Sequence, residues 1–322
     1  MRSILLVKTS SLGDVIHNLP VVSDLRRAMP NVAIDWVVEE GFADIPRLHP
    51  AVRRVIPVAI RRWRKELRRR ETRAEMRSFL CSLRQDYYDM VIDTQGLVKS
   101  AVITRLAQGL RCGHARESAR EPLAAWAYDC HFAIPKTAHA VDRNRWLAAA
   151  ACDYPLDMPL RYGLHTTAPA PAWLPDSPYV VLLSATSRDD KLWPEARWTA
   201  LGQSLHASGL RSVLPAGSPA ELERAARLAA AIPDAVAAPR SSVAELATVI
   251  AGARGVVGVD TGLTHLAAAL ARPTVALYLA TDPGLVGVHA GREAVNLGGQ
   301  GQCPAPEEVL ATFDRLTGQA IA

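Results

Sequence analysis

The same local construction occurs twice in this 322-residue chain, once near each end. In both copies a short apolar strand runs into a polar, glycine-containing turn, and the turn opens a helix. The first copy has the apolar run 4–7 (ILLV) and the turn 8–14 (KTSSLGD); the second has the run 255–259 (GVVGV) and the turn 260–265 (DTGLTH). In open α/β sheets, ligands bind outside the carboxyl ends of the strands, where helix N-termini attract anions. Two such turns predict two α/β domains that face each other across a cleft, each holding its own ligand.

Length and composition fit a two-domain α/β protein. A single core rarely grows beyond about 250–300 residues, and 49% hydrophobic with 21% charged residues is ordinary for a globular chain. No run approaches the ~18 apolar residues of a membrane-spanning helix, and the apolar start before Lys8 is too short for a signal peptide. The five cysteines are scattered singly, which argues against disulfides and zinc. We therefore expect a cytoplasmic protein without a metal or other cofactor.

Continuous apolar runs predict parallel strands that are covered on both faces. In the first half these runs are residues 3–8, 32–38, 54–57 and 90–93, followed by a helix over 98–107. In the second half the strands are 179–184, 212–215, 235–238, 255–259 and 274–278, with helices over 195–207, 219–231, 243–251 and 306–318. The proline- and alanine-rich stretch 165–178 marks a domain boundary. The sequence predicts two doubly wound Rossmann-like domains, 1–165 and 166–322, with the last helix packing back on the first.

Asp14 ends the first turn and has two interpretations. It is either the N-cap of a helix that starts near Val15 or a functional carboxylate that projects into the cleft. The turn has one glycine instead of the three in a dinucleotide-binding fingerprint, which disfavours an oxidoreductase. The turn 93–99 (DTQGLVK) repeats the pattern within the first half. Gln95 and Lys99 are therefore candidates to line the same cleft, and a capped helix is the alternative.

The turn 260–265 is dense in polar groups. Thr261 and Gly262 present backbone N–H groups at a helix start, an arrangement that suits a phosphate. Asp260 at the strand tip is a candidate acceptor for sugar hydroxyls or backbone N–H groups, and His265 lies one turn into the helix. The alternative is a helix cap beside a core histidine.

The turn after strand 179–184 combines hydroxyl groups with a cation. Thr186 and Ser187 suit a diphosphate, and Lys191 is a candidate clamp for negative charge that develops on a leaving group. An ordinary surface lysine is the alternative. Two adjacent aspartates in this turn lack an evident third ligand, so the sequence predicts no metal site.

The net charge of +5 is concentrated in one segment. Residues 61–77 contain nine Arg or Lys against three Glu, so this segment carries +6 and the remainder of the chain −1. It is interpreted as a solvated helix face, a nucleic-acid contact, or a contact for an anionic membrane or substrate. Only Trp63 interleaves with the cations, whereas single-strand binders supply several stacking aromatics. Nucleic acid is therefore disfavoured, and the cluster 61–65 (RRWRK) is the candidate for an anionic substrate.

These segments together resemble glycosyltransferase family 9, the lipopolysaccharide heptosyltransferases, nearly from end to end. The similarity lies in residues 7–14, 36–42, 56–65, 91–101, 119–123, 186–194, 259–270 and 281–285. The resemblance implies a GT-B fold and an inverting transfer of L-glycero-D-manno-heptose from ADP-heptose to the Kdo sugar of Kdo2-lipid A. It also implies a role in lipopolysaccharide inner-core biosynthesis. The protein would then be a peripheral protein on the cytoplasmic face of the inner membrane, which is an anionic surface.

The same resemblance implies roles for individual residues. Asp14 matches the general base, which as a carboxylate would take the proton of the Kdo hydroxyl. Residues that match donor contacts are Thr186, Ser187, Lys191, Glu221, Asp260, Thr261, Gly262 and His265. Glu221 matches a nucleoside contact, Asp260 a heptose contact, and Lys191 is also a catalytic candidate. Residues that match the acceptor region are Ser10, Arg61, Arg62, Arg64, Lys65 and Arg120. Two alternatives stay open: another sugar-nucleotide transferase of this family, and a non-catalytic RNA-binding protein that uses residues 61–77.

Overall fold

The computed structural model describes residues 2–166, 168–289 and 291–318. The chain divides into two compact units, and the division falls between Leu164 and His165. The boundary predicted from the sequence lies one residue further along the chain. The assignment of the acceptor to the first unit and of the donor to the second stays a prediction.

Within the described residues of the first unit, six parallel strands form one sheet. They are β1 (Ser3–Val7), β2 (Ala33–Glu39), β3 (Val52–Val58), β4 (Tyr88–Asp93), β5 (Gly109–His114) and β6 (Cys130–Phe132). The spatial order is β3-β2-β1-β4-β5-β6, so the order reverses between β1 and β4. All seven residues of β2 are buried, as expected of a parallel strand covered on both faces.

The connections of the first unit are helical. The α-helices are α1 (Leu12–Ile16), α2 (Leu19–Ala28), α3 (Asp44–Arg47), α4 (Ile60–Trp63), α5 (Arg70–Leu83), α6 (Val98–Leu106) and α7 (Ala140–Cys152). Short 3₁₀ helices span Glu40–Phe42 and Pro122–Ala127. Leu5, Val37 and Val91 from three neighbouring strands are fully buried in one apolar cluster, which also holds Leu83 of α5. The apolar runs recognised in the sequence thus form the centre of this sheet.

The second unit repeats the arrangement. Its strands are β7 (Tyr179–Leu183), β8 (Arg211–Leu214), β9 (Val236–Ala237), β10 (Gly255–Val259), β11 (Thr274–Tyr278) and β12 (Ala294–Gly298). Its α-helices are α8 (Glu195–Ala207), α9 (Pro219–Ala231), α10 (Val243–Gly252), α11 (Gly262–Ala269), α12 (Pro283–Val286) and α13 (Pro306–Thr317), with 3₁₀ helices at Asp189–Lys191 and Gly291–Glu293. The order β12-β11-β10-β7-β8-β9 is the order of the first sheet read from the other edge, and it reverses between β7 and β10.

Helix α13 packs within the second unit. Its Val309 and Phe313 side chains are fully buried in the cluster that also holds Val257 and Leu277 of the sheet. A Cβ placed on Gly255 would lie 2.5 Å from the Phe313 ring, so the helix and the strand are in close contact. The apolar face of the last helix therefore covers its own sheet. The expectation that this helix also packs back on the first domain stays a prediction.

Three of the observed strands, β5, β6 and β12, lie outside the predicted ones for a physical reason. Two of them, β6 and β12, are edge strands whose residues are mostly half-exposed, so they need no continuous apolar run. The third strand, β5, has the sequence GLRCGH, in which two glycines and an arginine interrupt the apolar run. The predicted helices 195–207 and 219–231 coincide with α8 and α9.

Candidate active site

Each sheet has one point at which the strand order reverses, and the polar turns lie there. In the first unit, β1 and β4 are neighbours, so the turns that follow them share one edge. In the second unit the same holds for β7 and β10. Ligands of doubly wound sheets bind at such reversal points, outside the carboxyl ends of the strands. The topology therefore supports the turns that the sequence selects.

Gln95 lies in the turn after β4, and its side chain stabilises the turn after β1. Its side-chain oxygen accepts hydrogen bonds from Thr9 N (2.6 Å) and Ser10 N (3.2 Å). Backbone N–H groups of Gln95 and Gly96 in turn donate to Asp93 Oδ1, at 2.8 and 3.1 Å. Each of these buried N–H groups would cost about 1–3 kcal/mol if left unpaired. Gln95 is thus a structural support, and the expectation that it lines the cleft is wrong because its polar atoms are turned inward.

Asp14 lies in the first turn of α1, which begins at Leu12 and not near Val15. The N-cap is Ser11, and Asp14 Oδ2 accepts hydrogen bonds from Ser11 N (2.8 Å) and Ser11 Oγ (3.2 Å). The interpretation of Asp14 as the N-cap is therefore wrong, since a carboxylate at the third helical position reaches back to the cap residue in a capping box. Its side chain keeps 25% of its surface exposed. The carboxylate supports the helix and stays accessible.

Positive charge surrounds the Asp14 carboxylate. Arg120 Nη1 lies 3.4 Å from Asp14 Oδ2. Lys8 is buried, and its Nζ donates to Thr94 O (2.9 Å) and Asn144 Oδ1 (3.2 Å). Burial alone would raise the pKa of Asp14, but the charges of Lys8 and Arg120 and the hydrogen bonds of the capping box lower it below its ordinary value. Asp14 is therefore ionised at neutral pH.

Ser10 and Lys99 form a pair at the same edge of the sheet. Lys99 Nζ donates to Ser10 Oγ at 2.6 Å. Burial lowers the pKa of Lys99, and the charge of Arg61 lowers it further, so Arg61 lies within electrostatic reach. The Arg61 guanidinium carbon is 5.3 Å from the centre of the Phe42 ring. Of the predicted acceptor residues, Ser10 is therefore in direct contact with a cation, and Arg61 lies within electrostatic reach of that cation.

Some residues of the basic segment 61–77 stabilise the fold of the first unit. Arg62 forms ion pairs with Glu40 (3.0 Å) and Glu75 (2.9 Å). Trp63 is buried, and its Nε1 donates to Glu75 Oε2 at 2.8 Å. A buried indole cannot stack on a nucleic-acid base, so this segment lacks the aromatic platform of a single-strand binder. Arg62 therefore stabilises this segment through ion pairs that are present without any ligand.

The other cations of the predicted acceptor region are accessible. Arg61, Arg64 and Lys65 are exposed, and they follow the carboxyl end of β3 through the short helix α4. Arg120 is exposed over 51% of its side chain although it contacts Asp14. These four side chains are therefore available to an anionic ligand.

Lys191 and Asp260 form an ion pair at the reversal point of the second sheet. Lys191 Nζ lies 2.6 Å from Asp260 Oδ2, which also accepts a hydrogen bond from Thr281 Oγ1 at 2.8 Å. His265 Nε2 is 3.8 Å from Asp260 Oδ1. Burial would raise the pKa of Asp260, but these three neighbours lower it well below its usual range. Asp260 is thus a fixed negative charge that positions the lysine.

Thr281 is the member of this cluster that the sequence analysis leaves out of the site. It follows β11, the strand that pairs with β10, so its turn lies next to Asp260 at the same edge. The signal available in the sequence was a polar residue three positions after the end of the next apolar strand. Lys191, predicted as a clamp for the leaving group, and Asp260, predicted as a sugar contact, form an ion pair with each other although 69 residues separate them in the sequence. The two roles stay predictions.

The predicted phosphate-binding groups surround this pair. Thr186 Oγ1 donates to the backbone oxygen of Asp260 at 3.0 Å. Thr261 is the N-cap residue of α11, and Gly262 is its first residue. The first N–H groups of a helix have no partner within the helix, which suits them to a phosphate. Ser187 lies in an exposed part of the turn after β7.

Glu221 anchors the turn after β8. Its Oε2 accepts hydrogen bonds from Gly217 N (2.8 Å) and Ser218 N (2.9 Å), and Ser218 caps α9. This capping box fixes the start of α9 beside the strand that neighbours β7. The nucleoside contact implied for Glu221 stays a prediction.

Comparison with known proteins identifies relatives over almost the whole chain. Residues 76–312 match the family model described as glycosyltransferase family 9 (heptosyltransferase). The chain is 51% identical to lipopolysaccharide heptosyltransferase 1 of Pseudomonas aeruginosa over 302 residues, which is 93% of this chain and 84% of that protein. It is 46% identical to the protein of the same name from Escherichia coli K12, covering 99% and 97% of the two chains.

Solved structures agree with this relationship. E. coli heptosyltransferase WaaC with ADP matches at a TM-score of 0.90 and 44% identity, over 99% of this chain and 100% of that chain. E. coli ADP-heptose lps heptosyltransferase II matches at a TM-score of 0.78 and 23% identity, over 99% of each chain, which supports the fold alone. The predicted GT-B fold and glycosyltransferase class are thereby confirmed. By sequence and by structure, the chain belongs to glycosyltransferase family 9, the heptosyltransferases.

Proposed function

We propose that this enzyme transfers L-glycero-D-manno-heptose from ADP-heptose to the Kdo sugar of Kdo2-lipid A, with inversion, during lipopolysaccharide inner-core synthesis at the cytoplasmic face of the inner membrane. The observation that carries the proposal is the ionised, accessible carboxylate of Asp14 at the reversal point of the first sheet. The names of the relatives, and the ADP in the E. coli structure, support the donor. The exposed cations of the first unit support an acidic acceptor.

The proposed reaction begins with proton removal. Asp14 accepts the proton of the attacked Kdo hydroxyl, whose oxygen forms a bond to the anomeric carbon of the heptose. At the same time the bond between that carbon and the diphosphate oxygen breaks, and the sugar passes through a state with oxocarbenium character. A single carboxylate is sufficient, because attack and departure occur on opposite faces of the sugar ring. The carboxylate is available at neutral pH because neighbouring cations keep it ionised.

Negative charge develops on the leaving ADP, and groups of the second unit are proposed to stabilise this charge. The N-terminus of α11 supplies backbone N–H groups, and Lys191 supplies a positive charge. Asp260 holds the ammonium group in place before the donor arrives, so little reorganisation is needed at the moment of reaction. Thr281 and His265 keep Asp260 itself in place.

The defining experiment is a turnover assay that exchanges the donor. Purified protein with Kdo2-lipid A is expected to release ADP from ADP-heptose, and mass spectrometry of the product should show one added heptose. Turnover with UDP- or GDP-sugars in preference to ADP-heptose would favour another transferase of the family. Salt-sensitive RNA binding without any transfer would favour the non-catalytic alternative.

We expect a chelator to leave turnover unchanged. In the proposed reaction, Lys191 and helix N–H groups stabilise the charge of the departing diphosphate. No step therefore requires a divalent ion. The measurement is the initial rate of ADP release before and after exhaustive treatment with EDTA, with a Mg²⁺ add-back as the control. A rate that collapses and is restored by the ion would contradict this part of the proposal.

Replacing Lys8 by Met is expected to move the acid limb of kcat/KM to higher pH. Burial lowers the pKa of Lys8 to about 8, so the lysine is largely charged below that pH and lowers the pKa of Asp14. Without this charge, Asp14 takes up its proton at a higher pH and the base is lost sooner on acidification. The matched control is Lys136→Met, which removes an exposed lysine of the same unit. If both profiles coincide with that of the wild type, Lys8 does not set the protonation of the base.

A further inference from the structure

A cavity of about 660 Å³ lies in the second unit, at the amino ends of its central strands, and we call it the amino-end cavity. Tyr179 begins β7, Arg254 directly precedes β10, and Pro273 directly precedes β11; all three line the cavity. The end of α13 contributes Leu316 and Thr317 to the lining. Small-molecule sites typically have volumes of about 300–1,000 Å³, so this cavity is large enough for a metabolite.

The amino-end cavity is separate from the candidate active site. Arg254 directly precedes β10, whereas Asp260 directly follows it. A strand of five residues that rises about 3.3 Å per residue places its two ends roughly 17 Å apart. Ligands of doubly wound sheets bind at the carboxyl ends of the strands, so the fold itself assigns no ligand to this edge. Any ligand of the amino-end cavity is therefore distinct from a ligand of the polar turns.

Two arginines stand next to each other at this edge of the sheet. Val256 of β10 pairs with Thr274 of β11. Arg254 and Arg272 stand two residues before these partners, and both line the cavity. Arg254 Nη2 donates to the backbone oxygen of Thr317 at 2.9 Å. In the part of the chain that the structure describes, neither guanidinium group lies within 4.0 Å of a carboxylate oxygen. Two neighbouring cations without an ion pair attract an anion.

The wall of the amino-end cavity also holds two buried polar atoms that lack a hydrogen-bond partner among the described residues. They are Arg272 Nε and Ser177 Oγ. Such atoms are rare, because leaving a buried polar group unpaired is destabilising, and more so for a charged group. A guanidinium N–H can only donate, and a hydroxyl group can donate as well. An oxyanion in the cavity is therefore an acceptor that suits both groups.

Carboxylates in the same wall narrow the class of ligand. Asp176 and Glu293 line the cavity and are exposed. Their charges offset those of the two arginines, which disfavours a polyanion such as a nucleic acid. Guanidinium groups bind phosphate in a bidentate manner, whereas carboxylates accept hydrogen bonds from hydroxyl groups. The lining therefore suits a molecule that carries one phosphate group and several hydroxyl groups.

We propose that the amino-end cavity is a second binding site of this protein and that it takes a sugar phosphate. Arg254 and Arg272 bind the phosphate group, and Ser177 donates a hydrogen bond to one of its oxygens. Asp176 and Glu293 accept hydrogen bonds from the sugar hydroxyl groups. Binding there requires neither the proposed donor nor the proposed acceptor, so it can be measured independently of transfer.

Calorimetric titration with glucose 6-phosphate tests this site. The wild type is expected to bind the probe, and Arg272→Gln to raise the Kd by about tenfold or more, because charge-assisted hydrogen bonds are lost. The backbone oxygen of Arg272 accepts a hydrogen bond from Thr274 Oγ1 at 2.7 Å, and the substitution leaves this oxygen in place. The matched control is Arg315→Gln, which removes an exposed guanidinium group of α13 that does not line the cavity. No binding by the wild type, or equal binding by the wild type and Arg272→Gln, overturns the proposal.

A second variant keeps the test valid if Arg272→Gln folds poorly. Ser177→Ala removes a hydroxyl group that has no partner in the described ranges of the chain. We expect it to raise the Kd for glucose 6-phosphate by about threefold, the effect of one lost hydrogen bond to the phosphate. Thermal unfolding of each variant without the probe shows whether the fold is retained.

Two further titrations establish where the probe binds and which of its groups are recognised. Lys191→Met is expected to bind glucose 6-phosphate like the wild type, since Lys191 lies at the other edge of the sheet. Binding that is lost in Lys191→Met and kept in Arg272→Gln would place the phosphate at the polar turns and overturn the proposal. Glucose and inorganic phosphate are each expected to bind more weakly than the ester. Equal affinity for glucose would overturn the phosphate contacts, and equal affinity for inorganic phosphate would overturn the assignment to a sugar ester.

Discussion

Asp14→Asn is expected to lower kcat by about 10²–10⁴-fold, the range typical of losing a general base, while the Kd for ADP-heptose stays close to that of the wild type. The amide cannot take up the proton of the acceptor hydroxyl. It can still accept the hydrogen bond from Ser11 N that starts α1. Rapid-quench measurement of ADP release, together with calorimetric titration of the donor, distinguishes loss of chemistry from loss of binding.

Asp14→Ala separates the two roles of this side chain. The alanine removes both the base and the capping interaction, whereas the asparagine removes the base alone. If the asparagine variant keeps a near-normal rate while the alanine variant is slow and less stable to heat, Asp14 serves only to start the helix and the proposed mechanism is wrong. Comparable kinetic loss in both variants assigns the effect to the missing base. The outcome therefore does not depend on whether the alanine variant folds well.

Lys191→Met is expected to lower kcat/KM for the donor by about 10²–10³-fold, comparable to the loss of one preorganised group that stabilises developing charge. The substitution keeps most of the aliphatic side chain and removes the ammonium group bonded to Asp260. Because the charge on the diphosphate grows as the glycosidic bond breaks, we expect the loss in kcat as well as in KM. Steady-state kinetics with varied ADP-heptose measure both quantities.

The control for Lys191 comes from the same turn. Arg188 is exposed and forms its ion pair with Asp190, so Arg188→Ala removes a cation without breaking the Lys191–Asp260 contact. We expect its kcat/KM to stay within about threefold of the wild type, since exposed ion pairs contribute little. Equal losses in the two variants would indicate general electrostatic attraction of the donor, and an unchanged Lys191→Met enzyme would remove Lys191 from the diphosphate site.

Local sequence was sufficient wherever a structure is stabilised by near neighbours. The central strands were predicted because apolar runs without alternation occur where helices cover both faces of a sheet, as they do for β2. The predicted helix 219–231 coincides with α9, and its start is fixed locally by the Ser218–Glu221 capping box. The start of α1 was misplaced because two serines and an aspartate offer competing caps, and only the observed hydrogen bonds select Ser11.

The charge state of the site could not be derived from local patterns. Lys8 looks like an ordinary turn lysine, yet its ammonium group is buried and bonded to Asn144, 136 residues away. Arg120 contacts Asp14 across 106 residues of sequence. The lowered pKa of Asp14 depends on both cations, and their positions follow from the strand order and not from the turn itself.

The sequence by itself determined that this chain builds two α/β units and that each carries polar turns at the ends of buried strands. It also predicts that these turns hold the reactive residues. Hydrophobic periodicity and helix caps are short-range properties, so they can be seen along the chain. The tertiary structure decided which turns become neighbours, because the placement of β1 beside β4 and of β7 beside β10 depends on how whole strands and helices pack. That order brings Lys191 to Asp260 and the cations to Asp14, and electrostatic interactions at such distances exist only in the folded protein.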